Sequence, residues 1–346
     1  MKRLALYFTA PYHVSVQEEP LAPPAADQVM VQTLISAISP GTELLFYRGQ
    51  APTDLPVDET IVALAGAVGF PLKYGYAAVG QVVAVGARVA PEWQGRLVFS
   101  FHPHESHFLA SPVELMTVPP PLPPEAAAFL PNMETAVNFL MDGQPLIGEQ
   151  VVIFGQGVVG LLTTALLARL PLASLVTLDR YPLRRQTSLA LGAHASLDPA
   201  ERQALTQLHA VLQQGQQGAD LTYELSGNPA ALEQAIAATG FSGRVVIGSW
   251  YGQKRADIGL GGRFHRSRIR LISSQVSTLA PQWTGRWSKA RRLQVAWWML
   301  EQVRPAHLIT HRFPLAQAAQ AYAMLDQHPE EALQVILTYD GEVESG

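Results

Sequence analysis

One stretch of the chain, from Val151 to Leu170, limits the possible folds more than any other. It begins with an apolar run, breaks at Gly155, Gly157 and Gly160, and continues as a second apolar run. A strand buried in a parallel sheet is apolar on both faces, and glycines at this spacing allow a tight turn, close approach of backbone to a pyrophosphate, and close helix–strand packing. The stretch therefore predicts a strand, a turn and a helix whose N-terminus binds a dinucleotide.

The residue that ends the next predicted strand indicates which dinucleotide binds. Ser174 to Leu178 reads as a strand, and Asp179 follows it. An acid about 20 residues past the glycines can accept hydrogen bonds from the ribose hydroxyls of NAD. We therefore expect NAD as the coenzyme.

The pattern on either side of this stretch predicts two domains. Residues up to about 134 contain short Val-rich runs bounded by Pro, Gly and Asp, which is typical of strands. From 135 to 276, strand and helix patterns alternate, which predicts a doubly wound parallel sheet. Residues 277–346 are expected to return to the first domain. The expected fold class is α/β, with a parallel sheet and a separate β-rich domain.

Composition excludes several classes of function. The formal net charge is −4, whereas binding to nucleic acid needs clustered Lys and Arg, so no nucleic-acid partner is expected. The one basic cluster, Arg263, Arg266, Arg268 and Arg270, alternates along a predicted strand and is interpreted as its solvated face. Glycines and polar residues interrupt the most apolar stretch, so no membrane span or membrane partner is expected and we predict a cytoplasmic protein. The chain contains no cysteine, which rules out disulfides and thiolate ligands.

Further motifs carry a family resemblance. Gly41-Thr42-Glu43 followed by Tyr47-Arg48-Gly49 resembles the Gly-Thr-Asp and Arg-Gly segment of zinc alcohol dehydrogenases. The run from Gly75 to Gly86 resembles their Gly-His-Glu-x-x-Gly-x-Val-x-x-Val-Gly run. The chain thus resembles a medium-chain dehydrogenase/reductase over nearly its whole length. The resemblance implies a GroES-like β domain built from 1–134 and 277–346, a Rossmann domain over 135–276, and an active site in the cleft.

The resemblance also extends the predicted coenzyme site. Arg184 matches a position where the family often has a basic residue near the adenosine ribose, and Ser273 and Ser274 match the last Rossmann strand beside the nicotinamide. Arg180 or Arg184 could instead pair with the 2′-phosphate of NADP, which leaves NADP open. The complete predicted site is Gly155, Gln156, Gly157, Val158, Val159, Gly160, Asp179, Arg180, Arg184, Ser226, Gly248, Ser273 and Ser274.

The zinc ligands of the family are missing from this chain. Pro40 stands where the family has a zinc-binding cysteine, Tyr76 and Ala77 replace the histidine and glutamate of Gly-His-Glu, and the third ligand falls near Pro131 or Asn132. None of these is a good zinc ligand. The resemblance therefore implies a zinc-independent member with no bound metal. Residues 38–44, 104–107 and 132–136 are most similar to the branch that contains bacteriochlorophyllide a dehydrogenase, which oxidises a hydroxyethyl side chain.

Without zinc, hydrogen-bond donors must stabilise the reacting oxygen. Tyr76 occupies the histidine-ligand position, so the resemblance places its hydroxyl near that oxygen, as acid in ketone reduction or base in alcohol oxidation. Thr42 matches the hydroxyl that relays protons toward the nicotinamide ribose, and His104 is a reserve acid. The alternative for Tyr76 is a packed ring that fills the space left by the metal.

Two other clusters allow more than one interpretation. His102, His104 and His107 have ligand chemistry, but residues i and i+5 of a strand point to opposite faces. We therefore favour ordinary surface or hydrogen-bonded histidines over pocket-lining residues, and both over a metal site. The Trp- and Arg-rich segment 281–303 is interpreted as a packing or subunit-contact helix rather than the wall of an aromatic pocket, and a homodimer is expected.

Three functions from different classes fit these residues. The first is a metal-free, NAD(H)-dependent oxidoreductase that interconverts a secondary alcohol and a ketone on a small molecule, with a bulky hydroxyethyl-bearing chlorin as one candidate substrate. The second is a quinone or enoyl reductase, which delivers hydride to an activated C=C bond. The third is a non-catalytic dinucleotide-binding protein. Thr42 and Tyr76 favour the first.

Overall fold

The structure is a computed structural model that describes residues 1–54, 56–58, 60–212 and 218–339. The chain begins with β1 (Lys2–Ala10), β2 (His13–Pro20), β3 (Val29–Ile38), α1 (Pro40–Tyr47), β4 (Ala78–Val85), β5 (Leu97–Ser100), β6 (His107–Ala110), β7 (Met116–Thr117), α2 (Pro124–Ala127) and α3 (Leu130–Gly143). It continues with β8 (Gln150–Phe154), α4 (Val158–Leu167), β9 (Ser174–Leu178), α5 (Pro182–Ala190), β10 (Ala195–Leu197), α6 (Ala204–Val211), β11 (Ala219–Glu224), α7 (Ala230–Ala238), β12 (Thr239–Ile247) and β13 (Arg270–Ser273). It ends with α8 (Lys289–Val303), β14 (Ile309–Pro314), α9 (Ala318–Gln327) and β15 (Gln334–Thr338).

None of the helices in these ranges combines the length and the apolar character that crossing a bilayer requires.

The chain forms two compact units, one of residues 1–131 with 304–346 and the other of residues 132–303. The predicted division differs mainly in the segment 277–303, which belongs to the second unit. The reason is Arg292 of α8, which is fully buried and pairs with Glu134 of α3 at 2.9 Å between Nη2 and Oε1. Removing one partner of a buried ion pair costs about 3–5 kcal/mol, so this contact ties α8 to α3.

The first unit is β-rich, and both ends of the chain contribute to its main sheet. The strand order is β14-β15-β3-β4-β5-β7, and β6 also pairs with β3. Near the C-terminus β15 runs antiparallel to β3, with Leu337 opposite Ser36, and this pairing closes the unit. The segment 107–118, one of the runs with a strand-like sequence, forms two strands, because Pro112 begins a helical turn that separates β6 from β7.

The second unit contains a parallel sheet in the order β10-β9-β8-β11-β12-β13. Strands β9 and β10 extend the sheet on one side of β8, and β11, β12 and β13 extend it on the other, so the strand order switches direction between β8 and β11. A dinucleotide binds at such a switch point, at the carboxyl ends of the strands. All residues of β8 and β9 are buried, as their apolar sequences predict. The α/β fold class with a doubly wound sheet and a GroES-like β unit is confirmed.

One predicted strand is shorter than expected. Of the basic cluster, Arg270 lies in β13, whereas Arg263 lies in an irregular helical turn before it. Arg268 adopts a φ of +52°, which is incompatible with a strand. The alternation of arginines therefore does not reflect one strand face.

Candidate functional site

The glycine turn has the geometry that a dinucleotide site requires. Gly155 follows β8 with a φ of +92°, and a Cβ there would lie 2.6 Å from Ser226 Cα. A Cβ on Gly160 would lie 2.1 Å from the Gly155 carbonyl oxygen, so α4 packs directly on the turn. A Cβ on Gly157 would meet nothing within 4 Å, which leaves space beside the helix N-terminus. The first-turn N–H groups of α4 have no intrahelical acceptors, so these residues fit a bound pyrophosphate.

Asp179 braces the glycine turn in addition to its predicted role. Its Oδ2 accepts the backbone N–H of Gln156 at 2.7 Å, and its Oδ1 accepts that of Tyr181 at 2.9 Å. The Arg184 guanidinium lies 3.9 Å from Oδ2 and stacks over the Tyr181 ring, whereas Arg180 is exposed. A carboxylate has about four lone-pair sites, so Asp179 retains capacity for a ribose hydroxyl. Sequence reasoning missed this bracing of the turn.

Several predicted coenzyme residues have internal partners. The Gln156 side chain is buried, donates to the Gly155 carbonyl at 3.0 Å and accepts from the Thr164 hydroxyl at 2.8 Å. The side chain of Gln156 therefore bonds within the turn, and the prediction that Gln156 belongs to the coenzyme site stays a prediction. Val158 is buried, and Val159 is partly buried and packs against the core cluster that contains Val151 and Ile153 of β8.

The loops after β11 and β12 are joined through a buried acid, Glu224. Its Oε1 accepts the N–H of Ser226 at 2.9 Å as well as the Ser226 hydroxyl, and its Oε2 accepts the Tyr251 hydroxyl. Burial raises the pKa of Tyr251 far above its usual value, so Tyr251 remains a donor. Gly248 packs on Phe139, since a Cβ there would lie 2.2 Å from the ring. Glu224 was not predicted, although an acid at the end of an apolar strand was a signal.

The two serines of the last strand have different environments. Ser273 is exposed. Ser274 is buried; its hydroxyl donates to Asp142 Oδ2 at 2.6 Å and accepts from Asn138 Nδ2 at 3.0 Å. Burial raises the pKa of Asp142, an effect only partly offset by these hydrogen bonds. Ser274 therefore stabilises the contact between α3 and the end of β13, and Ser273 is the serine open to a ligand.

In the first unit, the structure brings Tyr76 and Thr42 together. The Tyr76 hydroxyl donates to Thr42 Oγ1 at 3.3 Å, and both residues are half-buried. Thr42 lies in the first turn of α1, and Tyr76 immediately precedes Ala77 and strand β4. Burial raises the pKa of Tyr76 to about 12, and the nearby Ser39 and Thr42 hydroxyls oppose this shift. The phenol therefore stays protonated at neutral pH.

The residues at the family's ligand positions do not fit a zinc ion. Pro40 begins α1 and has no ligand atom, and Ala77 is a buried methyl group. Tyr76 offers a protonated phenol that already bonds Thr42. Among the residues that the structure describes, the one group of three or more His and acid side chains close enough to share a metal is His328, Glu330 and Glu331, all exposed.

The three predicted histidines do not meet. His102 Nε2 lies 3.1 Å from Glu105 Oε2 and its ring stacks on Phe108, while His107 Nδ1 bonds the Ser106 hydroxyl at 3.2 Å. His104 is fully buried. Since both of its ring nitrogens bond protein groups, the expectation that His104 serves as reserve acid to a substrate is corrected: it presents no free ring nitrogen.

The Trp-rich segment serves more than one purpose. Trp297 of α8 is buried, as a packing helix predicts. Trp283 and Trp298, in contrast, line an open apolar groove of about 610 Å³ within the second unit, together with Leu140 and Leu166. Trp298 is 58% exposed, so part of the predicted packing face remains uncovered in this chain.

Comparison with known proteins agrees with the fold and the motifs. A family model described as zinc-binding dehydrogenase matches residues 158–293, which excludes the ligand positions in the first unit. The D-guloside 3-dehydrogenase of Escherichia coli K12 is 22% identical, covering 98% of this chain and all of that protein. The 2-desacetyl-2-hydroxyethyl bacteriochlorophyllide A dehydrogenase of Cereibacter sphaeroides is 26% identical, covering 98% of this chain and 99% of that protein.

A solved structure has the same fold over nearly the whole chain. An alcohol dehydrogenase from Escherichia coli CFT073, solved with NADH, superimposes with a TM-score of 0.77 at 17% identity, covering 98% of this chain and 99% of that one. The full-length matches, the family model and the strand order all agree. The chain is therefore similar in sequence and in fold to medium-chain dehydrogenases/reductases.

Proposed function

We propose that this protein is an NAD(H)-dependent oxidoreductase that interconverts a secondary alcohol and a ketone without a metal. The observation that carries the proposal is the Tyr76–Thr42 hydroxyl pair, with 3.3 Å between Tyr76 Oη and Thr42 Oγ1. The pair stands where the superfamily resemblance expects the metal-bound oxygen chemistry, and the ligand positions around it hold Pro40 and Ala77. A hydroxyl donor thus replaces a Lewis acid.

The protonation state of Tyr76 suits the reduction direction. With a pKa raised to about 12 by burial, the phenol can donate a proton to the ketone oxygen as the alcohol forms. For this transfer the bond between the two hydroxyls reverses, so that Thr42 donates to Tyr76 Oη, and Thr42 can then pass its proton to the phenolate left behind. A bound nicotinamide coenzyme supplies the hydride. In the oxidation direction Tyr76 needs a nearby positive charge to act as a base.

The coenzyme assignment rests on the second unit. Gly157 leaves open space beside the N-terminus of α4, and Asp179 retains acceptor capacity for a ribose diol. A carboxylate there disfavours a 2′-phosphate, so we propose NADH over NADPH.

For the substrate, two relatives suggest candidates. The proteins described as acting on a guloside and on a hydroxyethyl bacteriochlorophyllide both match this chain over nearly its whole length. We propose a bulky secondary alcohol of one of these two kinds. A 3-keto hexoside and an acetyl-bearing chlorin, each offered with NADH, are the probes that separate the two.

Replacing Tyr76 with Phe tests the proposal. The change deletes the hydroxyl and keeps the ring, so we expect kcat to fall about 10²- to 10⁴-fold, because loss of general acid help has that magnitude. The NADH dissociation constant should stay unchanged. Steady-state reduction kinetics and fluorescence titration of NADH measure the two quantities.

The matched control for this test is Tyr74→Phe. Tyr74 is buried, and its ring centroid lies 6.0 Å from that of Tyr76. The hydroxyl that bonds Thr42, however, belongs to Tyr76. We expect it to retain kcat. Equal activity of Tyr76→Phe and Tyr74→Phe would contradict the proposed acid. Reduction of the C=C bond of an enone, with the carbonyl left intact, would instead identify an enoyl reductase.

A further inference from the structure

A buried array of polar side chains lies beneath the Tyr76–Thr42 pair in the first unit. Glu43 and His104 are both fully buried, with 3.0 Å between Glu43 Oε2 and His104 Nε2. The other ring nitrogen, Nδ1, lies 2.6 Å from the Ser36 hydroxyl, which in turn lies 2.6 Å from the Tyr339 hydroxyl. Buried polar networks of this kind hold their members in one arrangement when every group is satisfied.

The hydrogen-bond directions in this array are mutually consistent. Glu43 accepts three donors: the Ser39 backbone N–H at 2.7 Å on Oε1, and His104 and the Tyr322 hydroxyl on Oε2. An ionised carboxylate is acceptor-only, so His104 Nε2 carries a proton. In the neutral imidazole, Nδ1 is then the acceptor for the Ser36 hydroxyl. Burial raises the pKa of Tyr322 well above its usual value, so Tyr322 also remains a donor.

Glu43 is connected directly to the residues around Thr42. It follows Thr42 in the first turn of α1, and its side chain folds back to the N–H of Ser39, the residue before the helix. This hydrogen bond closes the N-terminal turn that carries Thr42. The orientation of the Thr42 hydroxyl therefore depends on where the Glu43 carboxylate is held.

His104 is connected to the segment that carries Tyr76. Its backbone N–H donates to the Tyr74 carbonyl at 3.4 Å. Its ring packs on Gly75, where a Cβ would lie 2.6 Å from His104 Nε2. Gly75 also has a φ of +118°, a conformation that favours glycine, and the lack of a Cβ leaves room for the His104 ring beside the residue that precedes Tyr76.

We propose that the buried Glu43–His104 pair is a positioning element that holds the Thr42 turn against the Tyr76 segment and so sets the contact between their hydroxyls. Neither residue touches the substrate in this scheme. The inference rests on the proposed function for its kinetic consequence, whereas its structural consequence can be measured without a substrate. It assigns a role to Glu43, for which the sequence suggested none.

The test compares His104→Leu, Glu43→Gln and the conservative His104→Gln in the full chain. A Gln amide can donate to Glu43 as Nε2 does, whereas Leu cannot. With NADH and whichever carbonyl probe the unmodified protein reduces, we expect kcat to fall about 10- to 100-fold in His104→Leu and Glu43→Gln, because displacement by about 1 Å can cost 10²-fold. His104→Gln should recover most of the rate, and the NADH dissociation constant should not change.

His102→Gln is the matched control. His102 is a half-buried histidine of the same segment, and the acid that it bonds is Glu105 rather than Glu43. Its melting temperature should fall while its kcat stays within about twofold of the unmodified value. A loss of kcat in His102→Gln equal to that in His104→Leu would show general destabilisation and overturn the proposal. Ser36→Ala, which keeps the Glu43–His104 bond, covers the case in which His104→Leu does not fold, and should retain kcat.

A second readout needs no substrate. Incorporation of 3-fluorotyrosine at position 76 gives a ¹⁹F resonance that reports the surroundings of that ring. We expect a shifted or broadened resonance in His104→Leu and Glu43→Gln and a near-native one in His104→Gln and His102→Gln. An unchanged resonance in folded His104→Leu overturns the positioning role. A changed resonance with unchanged kcat supports the positioning role and shows instead that Tyr76 is not the acid of the proposed function.

Discussion

At the scale of single residues, Asp179 combines two tasks that sequence reasoning treated as one. Its carboxylate accepts backbone N–H groups of Gln156 and Tyr181, and its remaining lone pairs face a ribose diol in our proposal. We expect Asp179→Ala to weaken NADH binding by at least about 10-fold, because a hydrogen bond to a charged group contributes about 1.5–3 kcal/mol. The difference in affinity between NADH and NADPH should become smaller. Calorimetric titration with both coenzymes measures this. Tighter binding of NADPH by the unmodified protein would contradict the assignment.

The same substitution should lower stability, because the buried N–H of Gln156 loses its acceptor at about 1–3 kcal/mol and the partly buried N–H of Tyr181 loses its acceptor as well. Asp198→Ala is the matched control: Asp198 bonds Arg185 at 3.0 Å and the Ala200 N–H, outside the glycine turn. It should leave both coenzyme affinities unchanged.

At the scale of elements, an ion-pair cluster joins the β1–β2 hairpin to the rest of the first unit, at Lys73 and Glu105. Glu105 is buried and bonds Arg3 and Lys73, each at 2.7 Å, and Glu19 bonds both cations too. Burial alone would raise the pKa of Glu19, but hydrogen bonds from Lys73, Tyr7 and Arg3 outweigh it and lower the pKa to about 2. The pKa of Glu105 is also lowered, against the effect of its burial, chiefly by His102 and Lys73.

The cluster predicts a pH dependence with a definite sign. A carboxylate whose pKa is lowered by folding stabilises the folded state above its unfolded pKa, here about 4.5, and this contribution is lost as pH falls toward about 2. We expect Glu105→Gln to lower stability by about 1–3 kcal/mol at pH 7. It should also reduce the loss of stability on acidification, because the pKa of Glu105 is lowered in the folded state as well. Thermal unfolding across the pH range measures it. The control Glu18→Gln breaks the exposed pair with Lys2 and should change stability by less than about 1 kcal/mol; an equal effect of the two would argue against the cluster.

At the scale of the whole molecule, the residues at the three ligand positions 40, 76 and 77 predict that the protein binds little zinc. Pro40, Tyr76 and Ala77 cannot form the tetrahedral site that zinc prefers. We expect purified protein to carry well under one equivalent of zinc by elemental analysis and to keep its activity after dialysis against a chelator. Any zinc bound at the exposed His328 cluster should be removed by this treatment without loss of rate. Stoichiometric zinc whose removal abolishes activity would refute the metal-free mechanism.

The sequence by itself determined the order of the elements in the second unit and the motifs through which the chain resembles medium-chain dehydrogenases/reductases. The glycine spacing, the doubly apolar strands and the missing ligands at 40, 76 and 77 are local patterns, and local patterns are encoded by covalent neighbours. Tertiary structure alone decided which distant side chains meet. The segment 277–303 lies in the second unit, where Arg292 pairs with Glu134, 158 residues earlier in the chain. His104, a reserve acid by its chemistry, became a buried partner of Glu43, 61 residues away, because the fold satisfies both of its ring nitrogens internally. Such pairings depend on the geometry of packed elements, which no spacing along the chain specifies.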